Sequence, residues 1–205
     1  GRCGVTTHEA FRDLAMEVMA CPHLVFEGVQ AYAGQLSHEM DGTRRAEEAQ
    51  RIETELQSLL ADLKKWQIPV KEVSGASTGT VELRKEDTVY TEVQAGSYLF
   101  MDATYRQMGL RFENSLTVLA TVVSTRPDLV VTDAGVKALG VDQGNPVCPA
   151  LPGASVNMSE EHSAFTFPGH PFHVGDKIRL IPGHCCTTMN LHDFFYFEEE
   201  GKVLN

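Results

Sequence analysis

The sequence predicts an α/β unit followed by an all-β module, and three observations carry that prediction. Helical and extended patterns alternate from the N-terminus to about residue 93. From residue 116 onward, short apolar strand signals follow one another closely, separated by turns at Pro127-Asp128, Gly144-Asn145-Pro146, Pro152-Gly153 and Pro168-Gly169. The 205 residues are 42% hydrophobic and 22% charged, ordinary for a globular chain and enough for one large domain or two small ones, so collagen-like, disordered and coiled-coil readings fall away.

Along the chain, Thr6 and Glu9 have capping-box spacing, and Phe11, Leu14, Ala15, Val18 and Met19 recur at helical period until Pro22 stops the run. Residues 24–31 (LVFEGVQA) are short, apolar and rich in Val and Phe, which predicts a strand. Asp41-Gly42 opens the next element. From Thr43 the apolar positions Ala46, Ala49, Ile52, Leu56, Leu59, Leu60, Leu63 and Trp66 step by three and four, the strongest helical signal in the chain. Residues 69–74 predict a strand, followed by the small-residue loop GASTGT (75–80), a short helical stretch and a strand over 88–93. Units of this size argue for parallel strands in an open sheet or a barrel. Strands are then expected at 116–125, 129–132, 154–157, 164–167, 177–181 and 194–197, an antiparallel module that begins near residues 96–102.

Charge and cysteine content narrow the function. No apolar run approaches the roughly 20 residues needed to span a bilayer, and GRCGVTTHEAF lacks a signal pattern, so a soluble cytoplasmic protein is expected. A net charge of -11, with 17 basic against 28 acidic residues, opposes a nucleic-acid role and favours small-molecule or protein partners. Five cysteines suit reduced thiols better than a disulfide framework. The chain starts on Gly1-Arg2-Cys3-Gly4, without Met, and stops just after a turn signal at Gly201, so the expectation is a piece of a longer protein.

Two segments carry candidate chemistry. In GASTGT, glycine backbone and the hydroxyls of Ser77, Thr78 and Thr80 offer an anion or phosphate cradle; the alternative is a plain Ser/Gly turn. In PGHCCTT (182–188), His184 and Cys186, two apart on an expected extended strand, would project to one face and share a cation such as Zn²⁺. Two protein ligands leave positions open, which points to a catalytic rather than a structural metal; the alternative is a buried thiol pair with a hydrogen-bonded histidine. A Cys185-Cys186 disulfide is disfavoured because neighbours on a strand point to opposite faces. Tyr32 lies just past a strand end, where parallel sheets collect functional groups, and Arg2 would do so if a strand precedes it. His162, beside Glu160 and Glu161, is a candidate acid/base group, whereas His8, His23, His170 and His173 have no assigned role.

Taken together these segments resemble one family. Arg2-Cys3-Gly4-Val5 is similar to an R-x-G-V turn, residues 24–34 (LVFEGVQAYAG) to a strand with a Y-x-G end, residues 73–80 to a phosphate loop, and residues 92–98 (EVQAGSY) to an E-x-x-x-G-x-Y entry into a β domain. With Asp133-Ala134-Gly135 and residues 182–190 (PGHCCTTMN), the match covers nearly the whole chain. It is to the D-threonine aldolase and D-serine dehydratase branch of the alanine-racemase-like, fold-type III pyridoxal-phosphate (PLP) enzymes.

The resemblance implies that residues 1–95 are the C-terminal part of a (β/α)₈ PLP barrel and residues 96–205 an antiparallel β domain carrying a divalent metal. It implies that Arg2 contacts the PLP phenolic oxygen and that Tyr32 lies near the ring. Ser77, Thr78, Gly79 and Thr80, with the backbone of Gly96 and Ser97, would hold the phosphate, with Tyr98 nearby, and His184 and Cys186 would bind Zn²⁺ or Mn²⁺, the thiolate favouring Zn²⁺. The implied protein is a homodimeric lyase for D-3-hydroxy amino acids; an amino-acid racemase and a non-catalytic module are the alternatives. The family's PLP lysine precedes the matched region, so none of Lys64, Lys65, Lys71 and Lys85 takes its place, and this chain alone is expected to be inactive. Gln35 stands where relatives often carry histidine after Y-x-G.

Overall fold

A computed structural model describes residues 2–204 as two compact units, Gly1–Gly96 and Ser97–Asn205. In the first, α1 (His8–Ala20) packs with α2 (Gly42–Lys65) against a sheet of β1 (Gly28–Ala31), β2 (Glu72–Gly75) and β3 (Glu92–Val93). The sheet order is β1-β2-β3 with both pairings parallel, and Val29 stands opposite Val73. The expected parallel strands are therefore present.

Local chemistry sets the boundaries. Asp41 caps α2, its carboxylate accepting from the N–H groups of Thr43 (2.9 Å) and Arg44 (3.1 Å), and Lys64 and Lys65 complement the dipole in the last turn. Leu56, Leu59 and Leu63 share the buried face and meet Ala15, Val29 and Val73. The cap of α1 is Thr7, whose hydroxyl accepts from Ala10 N–H at 3.2 Å, and not Thr6 as the capping-box spacing suggested.

The strands of this unit are shorter than expected. Residues 24–27 stay outside β1, with Leu24 and Val25 exposed, because β2 first pairs at Glu72; Pro69 has no N–H to donate before it. β3 shrinks to two residues because the Thr91 side chain takes a ladder position, its hydroxyl accepting from Val73 N–H at 2.9 Å.

The second unit is built on an antiparallel five-stranded sheet of order β6-β7-β5-β4-β8. Its strands are β4 (Val118–Arg126), β5 (Leu129–Thr132), β6 (Ser155–Met158), β7 (Ser163–Thr166) and β8 (Lys177–Leu180). Pro127-Asp128 turns β4 into β5, and the register shifts between Val122 and Ser124. Val122, Val130, Leu139, Phe165, Ile178 and Leu180 fill the core.

Two helices in this unit are absent from the sequence reading, α3 (Ala103–Gln107) and α4 (Cys185–Met189). The strand expected at 194–197 is not there either. Strand pairing comes later, between β9 (Glu198–Glu199) and β10 (Lys202–Val203), around Glu200 and Gly201 at φ 49° and 78°. Phe194 to Phe197 instead lie exposed, with Phe195 edge-on to Phe100 and Phe197. Among the described residues no helix is long and apolar enough to cross a membrane.

Candidate cofactor and metal-binding residues

In the first unit Tyr32 follows the C-terminal end of β1 and the 76–80 loop that of β2, while Arg2 precedes α1. Arg2 places its guanidinium 5.1 Å from the centroid of the Tyr32 ring, a cation-π distance, and the Tyr32 hydroxyl lies 3.2 Å from Ser37 Oγ. Gly34 makes room for that pair, since a Cβ there would stand 2.8 Å from Tyr32 and 3.0 Å from Arg2.

The 75–80 loop is a buried, internally bonded turn. Ser77, Thr78 and Thr80 are 0%, 3% and 4% exposed, and Gly79 is buried with them. Ser77 N–H donates to Thr80 Oγ1 at 2.9 Å, the two hydroxyl oxygens are 3.3 Å apart, and Val81 N–H closes the turn onto Ser77 O at 2.8 Å. Three hydroxyls gathered in one buried turn at the end of a parallel strand are a donor set that suits a phosphate. Thr80 and Ala76 also border a cavity of about 450 Å³, lined by the first half of α2 and by Arg84, Lys85 and Tyr90. Burial, together with Glu53, holds the Tyr90 phenol above its ordinary range. Gly96 is exposed and has open space around it.

In the second unit, Ser97 opens a short 3-10 turn and places its hydroxyl 3.4 Å from Cys186 Sγ, while Tyr98 packs against Phe112 with centroids 5.4 Å apart. His184 and Cys186 do not lie on a strand. His184 is the N-cap of α4 and Cys186 its second residue.

Distant groups make that bend. Fully buried Asp102 accepts from Tyr105 N–H (2.8 Å), capping α3, and from Cys185 N–H (3.0 Å), which starts α4. Gly183 passes so close to the Gly144 carbonyl that a Cβ would sit 1.8 Å from its oxygen. Thr188 Oγ1 donates to His184 O (2.7 Å) and accepts from Gly140 N–H (2.9 Å).

The imidazole of His184 is mostly buried, and its Nδ1 lies 2.7 Å from Asp142 Oδ2; the Thr187 hydroxyl donates to Asp142 Oδ1 at 2.6 Å. Burial opposes ionisation of Asp142, but the bonds from Thr187 and His184 outweigh it and hold the carboxyl below its usual range. Burial and the neighbouring Cys186 and Asp102 push the Cys185 thiol up; Cys185 is buried, whereas Cys186 is exposed. The two sulfurs are 3.9 Å apart and unbridged, and all five cysteines are free thiols.

Asp142, Asp102, Thr187 and Thr188 were not singled out in the sequence. Among the described residues no group of three or more His, Cys, Asp or Glu side chains is placed to hold a metal, so His184 and Cys186, two residues apart, are a two-residue candidate. Imidazole nitrogen and thiol sulfur in one short segment are a donor set for a borderline-soft divalent ion. Two other histidines meet backbone carbonyls, His170 Nε2 lying 2.6 Å from Arg126 O and His192 Nε2 2.9 Å from Ala138 O, and the candidate acid/base residue His162 is exposed.

The family model described as "Alanine racemase, N-terminal domain" matches residues 1–104, half of the chain. The chain belongs to the alanine-racemase-like family. Residues 115–197 of this alanine-racemase-like chain match a second model, described as "Putative serine dehydratase domain". A 3-hydroxy-D-aspartate aldolase of Paracoccus denitrificans (strain Pd 1222) is 36% identical over 214 residues, covering 99% of this chain and 55% of the relative. A D-threonine aldolase of Arthrobacter sp is 36% identical over 211 residues, covering 99% and 56%.

Among solved structures, the D-threonine aldolase from Filomicrobium marinum superposes with a TM-score of 0.93 at 32% identity, covering 99% of this chain and 58% of that one. The D-threo-3-hydroxyaspartate dehydratase from Delftia sp. HT23, at 23% identity and a TM-score of 0.86, shares the fold. The alanine-racemase-like chain thus spans about half the length of the curated relatives it matches.

Proposed function

We propose that the chain carries the phosphate loop and the metal ligands of a PLP- and divalent-metal-dependent lyase that cleaves D-3-hydroxy amino acids, with aldolase chemistry. The observation that carries this reading is the placement of His184 and Cys186 two residues apart at the start of α4, in a chain with 36% identical relatives named as D-threonine and 3-hydroxy-D-aspartate aldolases. Aldolase is favoured over dehydratase because the relatives named as dehydratases are 29% and 26% identical and match only 59% and 56% of the chain. Residues 1–95 are the C-terminal part of the PLP barrel and residues 96–205 the metal-carrying β domain in this proposal, and the active form is a homodimer. The exposed aromatic run from Phe194 to Phe197 is consistent with burial against another chain.

The residues divide the work by chemistry. Ser77, Thr78 and Thr80 hydroxyls and the backbone at Gly79 hold the phosphate, and the Arg2 guanidinium, steadied on Tyr32, donates to the phenolic oxygen. His184 nitrogen and Cys186 sulfur hold a divalent ion, Zn²⁺ by the softness of the thiolate. When bound, PLP supplies an electron sink at the substrate's α-carbon and the ion a Lewis acid for its β-hydroxyl. In the cleavage the β-hydroxyl gives up its proton, the Cα–Cβ bond breaks, an aldehyde leaves and the α-carbon gains a proton, yielding glycine.

The protein should be expressed with whatever coding sequence surrounds these 205 residues and assayed with D-threonine and D-serine. Expected are PLP absorbance and aldehyde release that stops with a chelator and in His184→Ala. Exchange of the α-proton with the β-substituent retained, insensitive to chelator, would replace the proposal with a racemase.

A further inference from the structure

We infer that Asp142 is a positioning residue that sets which nitrogen of His184 is available to a metal ion. The inference rests on the reading of His184 and Cys186 as metal ligands. A carboxylate can only accept hydrogen bonds, so the 2.7 Å contact from Asp142 Oδ2 to His184 Nδ1 requires the proton on Nδ1 and leaves the lone pair of the neutral ring on Nε2. Such a carboxylate behind a ligating imidazole fixes the tautomer and the ring angle and raises the basicity of the ligating nitrogen.

Asp142 is itself aimed. Its other oxygen, Oδ1, accepts from the Thr187 hydroxyl at 2.6 Å, so the carboxylate is held at both oxygens, by the N-cap of α4 and by its third residue. The loop bearing Asp142 is pinned to the same helix two residues earlier, where Gly140 N–H donates to Thr188 Oγ1 at 2.9 Å. Gly140 is obligatory for this approach, since a Cβ there would lie 2.1 Å from Thr187 Oγ1. Asp142, Thr187, Thr188 and Gly140 thus form a clamp spanning more than 40 residues of sequence and converging on one imidazole.

The test reads the apo protein first and the metal second. Long-range ¹H–¹⁵N NMR of the metal-free protein above about pH 8, where an ordinary histidine is neutral, should show His184 protonated on Nδ1. In Asp142→Ala the Nε2–H form should appear. Competition titration with Zn²⁺ should show affinity falling about 10–100-fold in Asp142→Ala, while Co²⁺ retains its thiolate charge-transfer band from Cys186. Thr187→Val keeps the carboxylate but frees one oxygen, and it should fall between wild type and Asp142→Ala; it decides the matter if the alanine variant does not fold.

Wild-type Zn²⁺ affinity together with an unchanged Nδ1–H signal in Asp142→Ala would overturn the inference while leaving the metal reading intact. Failure of His184→Ala and Cys186→Ser to weaken Zn²⁺ binding would instead sink the metal reading, and the NMR comparison would still decide whether Asp142 sets the tautomer.

Discussion

At the scale of single residues, glycines at close backbone approaches decide where the candidate side chains stand. A Cβ on Gly75 would come within 2.3 Å of the Tyr90 ring and 2.7 Å of the Ala31 carbonyl oxygen, immediately before the hydroxyl-bearing loop. The ring can swing away but the β1 backbone cannot, so Gly75→Ala should cost about 1–3 kcal/mol in denaturant unfolding. A Cβ on Gly183 meets backbone alone, 1.8 Å from Gly144 O, and Gly183→Ala should reach the upper end of that range, about 3 kcal/mol, and shift the start of α4. Gly96→Ala is the control: nothing lies within 4 Å of the added carbon, so stability should stay within about 0.5 kcal/mol of wild type. Equal costs at all three positions would refute the steric account.

At the scale of elements, α1 and α2 are tied by one histidine. His8 Nδ1 lies 2.8 Å from Asp62 and its Nε2 3.1 Å from Glu55, while Lys65 holds Asp62 from the other side at 2.7 Å. The bond to Asp62 raises His8 above its ordinary 6.5, against a smaller opposing effect of burial. Lys65 and His8 lower Asp62 below 3.8. A raised histidine stabilises fully below its unfolded value and loses that contribution as pH climbs through its folded value. A lowered aspartate stabilises above its unfolded value and loses the contribution as pH falls through its folded one. The tie is therefore strongest between about pH 4 and pH 6.5. The gap in Tm between wild type and His8→Ala should be widest there, narrow above about pH 8 and shrink with salt. A gap unchanged to high pH would mean packing rather than charge holds the helices. Long, locally encoded elements of this kind were legible in the sequence: α2 starts one residue before the expected Thr43 because Asp41 and the apolar period are both local signals. α4 was not, because its Cys and Thr residues favour extended backbone and what starts the helix is Asp102, 83 residues away. His184 and Cys186 stood out by residue type, but the spacing argument put them on one face of a strand, whereas they stand at the start of α4. Asp142 was not legible, since only the fold brings it to His184 across 42 residues.

For the whole molecule, the distribution of lysines bears on where PLP would be anchored. An amine that forms a Schiff base must be neutral at working pH, which burial or a cationic neighbour arranges. Lys64, Lys65, Lys71, Lys85, Lys137, Lys177 and Lys202 are all exposed, and they are all the lysines of the chain. Several are committed to carboxylates that favour the charged form: Lys65 to Asp62 at 2.7 Å, Lys71 to Glu27 at 2.9 Å and Lys137 to Glu161 at 2.7 Å. The last contact holds Lys137 above its ordinary value, opposite to what a Schiff-base lysine needs. None of the seven has the environment of a PLP anchor, in keeping with a chain that spans about half the length of its curated relatives. Borohydride reduction of the PLP-loaded protein, followed by peptide mass spectrometry, should therefore leave all seven without a stoichiometric pyridoxyl label. A full equivalent on any one of them, with the candidate phosphate loop intact, would place the anchor inside this chain and overturn its assignment as the lysine-free part of the cofactor site.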